Sequence, residues 1–501
     1  MSIDSDSRLV REWGMYRRRP HRGLPAWLWL LLAVGLAAVF AVAVWLSQRS
    51  QPWRSPSGVP HFVSCTYGGR INGWCGLLRT PFDPREPNGS TIPLRVTVIP
   101  ATVPPAAGAL FYLEGGPGGA ASASAVRVNA LFARVGRHRD LVMVDERGTG
   151  GSGRLACPHG YVRGSDAHDV AAYVHRCLAR LGTDPRLYTT SVAAHDLETV
   201  RRALGYRKID LYGGSYGATL AQAYLRRYSA SVRSVVLDSG SLPRVRIYDV
   251  AARNAERALD AVLARCAATT ACRKAYPNPR RQLGALLARR ARLVTFPGGR
   301  VALRPDDIAW TVDWLSESPA NAAIIPFAVN AAAHGDYTTL ASTYAGQLGG
   351  SNLDRLGRLV PFWATICSEP WAAFDPSATA RAGRGSYLRA AAVARADLFR
   401  RVCRVVPKGR VSGGAGSTSV AHVPVLLLAG SADPLDPPAN VKGWRRLFPE
   451  GRLVVVRGAG HGTIELACAQ TLVARFVDSG SARQLDQTCA RHVSLPPFVT
   501  G

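Results

Sequence analysis

Hydrophobic positions along this chain gather first into short, continuous runs: Leu94–Ile99, Ala109–Leu113, Leu141–Val144, Ile209–Tyr212, Val232–Leu237, Val425–Ala429 and Leu453–Val456. Unbroken apolar runs of strand length, rich in β-branched residues, suit parallel strands covered on both faces. Between them Ser191–Leu204 and Tyr216–Tyr228 place apolar residues at helical spacing. The alternation predicts a mostly parallel, doubly wound α/β sheet. It breaks from about Ser241 to Ser419, where Val250–Ala267, Arg280–Leu293 and Asp306–Trp314 read as Ala-rich helices and no strand series appears. Trp310, Trp314, Trp363 and Trp371 are scattered through that stretch, and Gly413–Ser417 marks a flexible return. The expected order is a sheet core over 61–240, a mainly helical lid over 241–419 and the rest of the core over 420–501.

A different hydrophobic pattern precedes the core. Ala26 to Leu46 carries no charge, and at 1.5 Å per residue it makes about 31 Å of helix, enough to cross a bilayer. Arg17, Arg18, Arg19 and Arg22 lie just before it, and only Arg49 and Arg54 follow closely. That asymmetry puts the tail 1–25 in the cytoplasm and the remainder outside. Trp27, Trp29 and Trp45 stand near its two ends. The expectation is a single-pass signal anchor over 26–46 and a linker over 47–60, with Pro and Ser concentrated from Gln51 to Pro60. The alternative is a secreted protein, cleaved near Ala41-Val42-Ala43; the run is longer than a usual secretory core, which favours the anchor.

Composition changes the picture in two places. The formal net charge of +28 invites a nucleic-acid reading. The excess is arginine spread over the whole chain, with only Lys208, Lys274, Lys408 and Lys442 as lysines, and no zinc-finger or RNP-like pattern accompanies it. Nucleic acid is therefore not an expected partner; an anionic membrane surface or cell wall remains compatible. The 10 cysteines, Cys65, Cys75, Cys157, Cys177, Cys266, Cys272, Cys367, Cys403, Cys468 and Cys489, form no CxxC or Cys/His pattern. Their even number favours disulfides over metal and agrees with export. Pairing of sequence neighbours is the expectation, although sequence does not fix connectivity. No metal or cofactor is expected, and the oligomeric state is open.

The candidate chemistry starts at Gly213-Gly214-Ser215-Tyr216-Gly217. A G-x-S-x-G alone is weak, because glycine is common here and an inert glycine-rich turn would look the same. Its setting is specific: a strand precedes it and a helix follows, as a nucleophile elbow requires. The helix start aims backbone N–H groups at the serine, ready for a developing negative charge. Downstream, Asp433 ends the apolar strand beginning at Val425; Asp436 is its competitor, and an Asx-turn cap is the plain alternative. His461, in Gly458-Ala459-Gly460-His461-Gly462, follows the last apolar strand. Ser, Asp and His thus occur in the chain order of a hydrolase triad. Leu113-Glu114-Gly115-Gly116-Pro117-Gly118-Gly119 closes an early strand with a glycine-rich loop. Its Gly116 N–H and that of Tyr216 are the candidate oxyanion donors, and Pro117 rules out a dinucleotide fingerprint.

Glu114–Gly119 resembles the Gly-Gly-Pro-Gly loop of the prolyl-aminopeptidase-like and tripeptidyl-aminopeptidase-like serine peptidases, a family of α/β-hydrolases. Asp145-Glu146-Arg147-Gly148-Thr149-Gly150-Gly151-Ser152 is similar to their Asp-x-Arg-Gly-x-Gly-x-Ser turn, and Tyr216 after the serine fits as well. The resemblance runs from about His61 to Cys489. It implies an α/β-hydrolase fold whose insertion is a lid, with acidic lid residues holding the free α-amine of a peptide. Cys367-Ser368-Glu369-Pro370-Trp371 looks like the acidic lid segment, which makes Glu369 the candidate amine anchor. Cys468 and Cys489 resemble the cysteines of the tripeptidyl-aminopeptidase-like branch. The chain departs from the pattern at Glu114, where relatives often carry His or Asn. The implied activity is a membrane-anchored, extracytoplasmic serine aminopeptidase releasing residues or short peptides through an acyl-enzyme. A carboxylesterase or lipase with the same triad is the alternative, and an inert hydrolase fold used for binding is a third reading.

Overall fold

The computed structural model describes residues 62–155, 167–349, 352–411 and 422–500, together with the isolated Gly35. The chain separates into two units, Met1–Arg54 and Ser55–Gly501, and every element named below belongs to the second. Ala26–Leu46, the linker before the core, Cys157 and the Gly413–Ser417 return lie outside the described residues. Among the described residues no helix is long and apolar enough to cross a membrane.

The apolar runs form the sheet where the pattern put them. The strands β1 (Val63–Tyr67), β2 (Ile71–Pro81), β3 (Thr91–Ile99), β4 (Ala109–Leu113), β5 (Asp140–Val144), β6 (Ile209–Gly214) and β7 (Val232–Asp238) lie in the first half of the chain. After β8 (Arg292–Phe296) and β9 (Gly299–Leu303), β10 (Val425–Gly430) and β11 (Gly451–Val456) complete the set. Nine of them make one sheet in the order β1-β2-β3-β5-β4-β6-β7-β10-β11. From β5 to β11 the pairs are parallel, whereas β1, β2, β3 and β5 pair antiparallel. Every residue of β4, β5 and β10 is buried, as the unbroken apolar runs require.

The hairpin β1–β2 is absent from the sequence expectation for a physical reason. It is an edge with one wet face, so its residues alternate in burial, and Gly73 and Gly76 dilute the apolar signal. Cys65–Cys75 ties it together. The pairs Cys266–Cys272, Cys367–Cys403 and Cys468–Cys489 are also formed between sequence neighbours, and Cys177 is itself disulfide-bonded.

Helices cover both faces. Those used below are α1 (Thr190–Ala203), α2 (Tyr216–Tyr228), α3 (Ile247–Ala268), α4 (Pro305–Ser316), α5 (Arg389–Val405) and α6 (Ala467–Ser479). The chain leaves the sheet after β7, builds the insertion with α3, α4 and α5, and returns at β10. One correction falls here. The helix expected over Arg280–Leu293 stops at Leu287, and β8 and β9 follow as an antiparallel hairpin. Val294, Thr295 and Phe296 favour extended backbone, and Gly299 at φ +128° makes the turn.

The insertion has its own apolar core, which includes Leu259, Val262, Ile308, Val312 and, from the far end of the chain, Phe498. The C-terminal tail thus reaches the cap. Arg265 of α3 lies over the Phe498 ring at 4.1 Å and donates to the Pro496 carbonyl at 3.0 Å, while the Val499 N–H donates to Ala323 O at 3.2 Å.

Candidate active site

The serine stands in the elbow that its glycines permit. Ser215 has φ +56° and ψ −124° between β6 and α2, a conformation costing about 1–3 kcal/mol for a residue with a side chain. A Cβ on Gly213 would lie 2.2 Å from Gly217 O, and one on Gly217 would lie 2.2 Å from Leu113 O. Neither position tolerates a side chain, so both glycines of the motif are required sterically. The Ser215 N–H donates to Asp238 O at 3.0 Å, fixing the elbow to the end of β7.

His461 and Asp433 come together at the ends of β11 and β10. The imidazole Nδ1 lies 3.2 Å and 3.1 Å from the two carboxylate oxygens of Asp433. Asp433 is buried, and its Oδ1 also accepts the N–H groups of Leu435 and Asp436, each at 2.8 Å. Burial alone would raise its pKa; the His461 charge and these hydrogen bonds hold it below the ordinary carboxylate value. Asp436, the rival acid, is turned to Ser241, whose hydroxyl donates to it, and burial pushes it up to about 6. Burial disfavours the charged imidazole of His461, but Asp433, Asp436 and Glu317 outweigh that and raise it above its ordinary value.

Two residues outside the sequence expectation hold this arrangement. Asp238, fully buried at the end of β7, accepts from Thr463 N (3.0 Å), Thr463 Oγ1 (2.8 Å), Ile464 N (2.9 Å) and Tyr212 Oη (2.7 Å). Ser239 Oγ accepts the Gly462 N–H at 2.8 Å. One strand end therefore secures both the serine elbow, through its carbonyl, and the histidine loop, through its side chains. The available signal was a polar residue closing the apolar run Val232–Leu237, at the strand end where α/β sheets place their sites.

The glycine-rich loop lies against the serine: a Cβ on Gly115 would be 3.5 Å from Ser215 Cβ, and Gly116 at φ +128° lines both cavities described below. Tyr216 opens α2. Glu114 braces the loop, accepting from Gly115 N at 3.0 Å, Ser124 Oγ at 2.5 Å and Tyr112 Oη at 3.3 Å. The Asp145–Ser152 turn is a brace as well. Arg147 makes a two-pronged bond to buried Asp196, both contacts at 2.7 Å, and caps the Phe82 carbonyl at 2.8 Å.

Two cavities open at Ser215. The smaller, about 50 Å³, is walled by Tyr216, Leu242, Val245, Ile247 and Trp371, among others. The larger, about 800 Å³, lies under the cap and is bordered by the α4 stripe Asp306, Trp310, Asp313, Trp314 and the following Glu317, with Arg395 of α5. Helix α4 is docked on the histidine loop, because the His461 N–H donates to Glu317 O at 2.6 Å. Asp313 is 4 % exposed, its Oδ1 has no hydrogen-bond partner, and burial pushes its pKa up to about 8. Glu317 is raised too, by burial.

Glu369, the candidate amine anchor, stands apart from both cavities. It is buried, and its carboxylate accepts the Thr190 N–H at the start of α1 at 3.3 Å. Its neighbour Trp371 forms the cavity wall instead. The acids facing the large cavity are Asp306, Asp307 and Asp313 of α4, the following Glu317, Asp397 of α5 and Asp436. Among the described residues no group of three or more His, Cys, Asp or Glu side chains is disposed to hold a metal ion.

Comparison with known proteins gives this geometry a context. The family model of the alpha/beta hydrolase fold matches residues 108–467. A tripeptidyl aminopeptidase of Streptomyces lividans is 34% identical over 186 residues, 33% of this chain and 35% of that protein. The serine protease Hip1 of Mycobacterium tuberculosis (strain ATCC 25618 / H37Rv) is 30% identical over 220 residues, 40% of this chain and 42% of its own. The matched stretch thus spans well under half of either relative. Among solved structures, a proline iminopeptidase of Mycobacterium smegmatis aligns over 81% of this chain and 98% of its own, with 16% identity and a TM-score of 0.36. The family model covers most of the chain, from ahead of β4 to the start of α6, and the chain belongs to the α/β-hydrolase fold family.

Proposed function

We propose that this protein is a serine aminopeptidase in which Ser215 is the nucleophile, His461 the general base and acid, and Asp433 the group that orients the imidazole. The observation that carries the reading is the contact of His461 Nδ1 with a buried Asp433, in a loop that shares the Asp238 strand end with the Ser215 elbow. Ser215 Oγ attacks the scissile carbonyl while the neutral imidazole takes its proton. The N–H groups of Gly116 and Tyr216 receive the oxyanion. His461 returns the proton to the leaving amine, and an acyl-enzyme remains. Water, deprotonated by His461, then attacks the acyl carbon, and collapse of the second tetrahedral intermediate frees Ser215.

The peptide part of the reading is supported by the names of the relatives and by the acidic cavity. Asp313 and Glu317 take the α-amine in place of Glu369. An arriving ammonium offers the unsatisfied Asp313 oxygen a charged donor and draws the carboxyl into its ionised form. The enzyme is held outside the cytoplasm by Ala26–Leu46, a reading supported by the flanking arginines and by the disulfides. Protease treatment of intact cells tests this placement: a catalytic unit that stays protected argues for the cytoplasm, and its release into the medium for cleavage of the segment.

The activity is tested by comparing kcat/KM on peptide amides with a free and an acetylated N-terminus, and on short acyl esters. Acetylation should lower kcat/KM at least tenfold, and Ser215→Ala should abolish labelling by a fluorophosphonate. Equal turnover of blocked and free peptides would give the site to an esterase, and a wild type that takes no label would remove it from the serine hydrolases altogether.

A further inference from the structure

The large cavity holds more acidic side chains than one α-amine can engage. Of its acidic residues, Asp307 is paired with Arg304 at 3.0 Å, Asp397 with Arg400 and Arg401, each at 2.7 Å, and Asp436 accepts the Ser241 hydroxyl. Asp306, Asp313 and Glu317 make no salt bridge among the described residues. Among the described residues the cation facing them without a salt bridge is Arg395, whose guanidinium stacks 3.9 Å over the Trp310 ring. Arg395 thereby compensates one of the three and shows that the aromatic wall accepts a positive charge. Trp314, the next ring on the same helix face, is 40% exposed and lines the cavity.

The positions along α4 give these acids a spacing. Asp306 and Asp313 are seven residues apart, about 10 Å along the helix axis. Asp313 and Glu317 are one turn apart at the end docked on His461. Two separate acidic ends therefore face one cavity of about 800 Å³, with Trp310 between them. A lysine side chain carries its ammonium roughly 6–7 Å from the α-nitrogen, which bridges such a separation once the carboxylates reach inward.

We propose that the cap cavity binds two positive charges of one substrate, the α-amine at Asp313 and Glu317 and the basic side chain of the same N-terminal residue at Asp306. The preferred peptides then begin with lysine or arginine. This inference rests on the aminopeptidase reading for its amine anchor, whereas the Asp306 subsite is measured by binding alone.

The experiment uses the full chain with Ser215→Ala, so that peptides bind without being cut. Lysyl-alanyl-alanine amide and norleucyl-alanyl-alanine amide are titrated by calorimetry. The lysyl peptide should bind at least tenfold more tightly, Asp306→Asn should bring the two to equality, and Asp306→Glu should restore the difference. Asp306→Lys should favour a glutamyl peptide, which separates charge recognition from a folding defect. Equal affinities in the Ser215→Ala chain, no measurable binding of the lysyl peptide, or a preference that survives Asp306→Asn overturns the inference. Acetylation of the lysyl peptide reads the other end: undiminished binding would sink the amine anchor and leave the Asp306 result standing.

Discussion

Replacing Asp238 by asparagine changes one atom in a carboxylate that accepts five hydrogen bonds. Oδ1 takes the Thr463 N–H and hydroxyl and the Ser239 hydroxyl, and Oδ2 takes the Ile464 N–H and the Tyr212 hydroxyl. Asparagine keeps one acceptor oxygen and presents an amide nitrogen to the other pair. Tyr212 can rotate its hydroxyl and accept; Ile464 N–H cannot. The loss is then one charged hydrogen bond and one buried donor left facing another donor, each worth about 1.5–3 kcal/mol. Burial already raises the Asp238 pKa, so the neutral side chain recovers part of that cost. The expected net destabilisation is about 2–4 kcal/mol. Because the same bonds place Thr463 and Ile464 just after His461, fluorophosphonate labelling of the folded protein should slow by about 100-fold, the scale of a misplaced catalytic group. Urea denaturation followed by tryptophan fluorescence, with labelling rates in the folded baseline, measures both. A loss under about 0.5 kcal/mol together with an unchanged labelling rate would refute the role assigned to this strand end.

The site makes four further predictions. His461 must be neutral to take the serine proton, and Asp433, Asp436 and Glu317 raise its pKa against burial; activity is therefore lost as pH falls through a value above the ordinary imidazole pKa, and Glu317→Gln should move the acid limb of kcat/KM to lower pH. Asp313→Asn should raise KM for free-amine peptides about tenfold or more and leave the fluorophosphonate labelling rate unchanged; an unchanged KM would return the amine to another group. Gly217→Ala puts a methyl 2.2 Å from Leu113 O, so labelling at Ser215 should vanish, and full labelling would mean the elbow is not built as described. Converting Cys468 and Cys489 to serine opens a loop of 21 residues and should cost about 3 kcal/mol in urea unfolding, against no shift in midpoint if the bridge is only ornamental.

The parallel half of the sheet and the order of its site residues were legible because both leave strong marks in one dimension. A strand buried on both faces is an unbroken apolar run, and β4, β5 and β10 are such strands. Ser215 follows β6 directly, and Asp433 and His461 stand a few residues after β10 and β11. The edge strands were hidden because their apolar positions alternate with polar ones. The cap was harder still. Its helices share Ala-rich composition, so nothing in one dimension says that Asp306, Asp313 and Glu317 face a cavity while Glu369 is turned to the start of α1. Asp238 stood at the end of a recognised run, but its role depends on Thr463 and Ile464, more than two hundred residues away in sequence.

The tail that carries Phe498 and Val499 gives the cap a third tether. The first two are the strands' own connections, out after β7 and back before β10; the third is the last stretch of chain, pressed into the cap core and stapled at its base to α6 by Cys468–Cys489. A flap hinged on two adjacent connections swings freely, whereas one also latched by its far corner must first release the latch. Anything appended to the C-terminus, an affinity tag included, is built onto that latch. Its effect should fall on how readily the cap cavity opens, and not on the chemistry at Ser215.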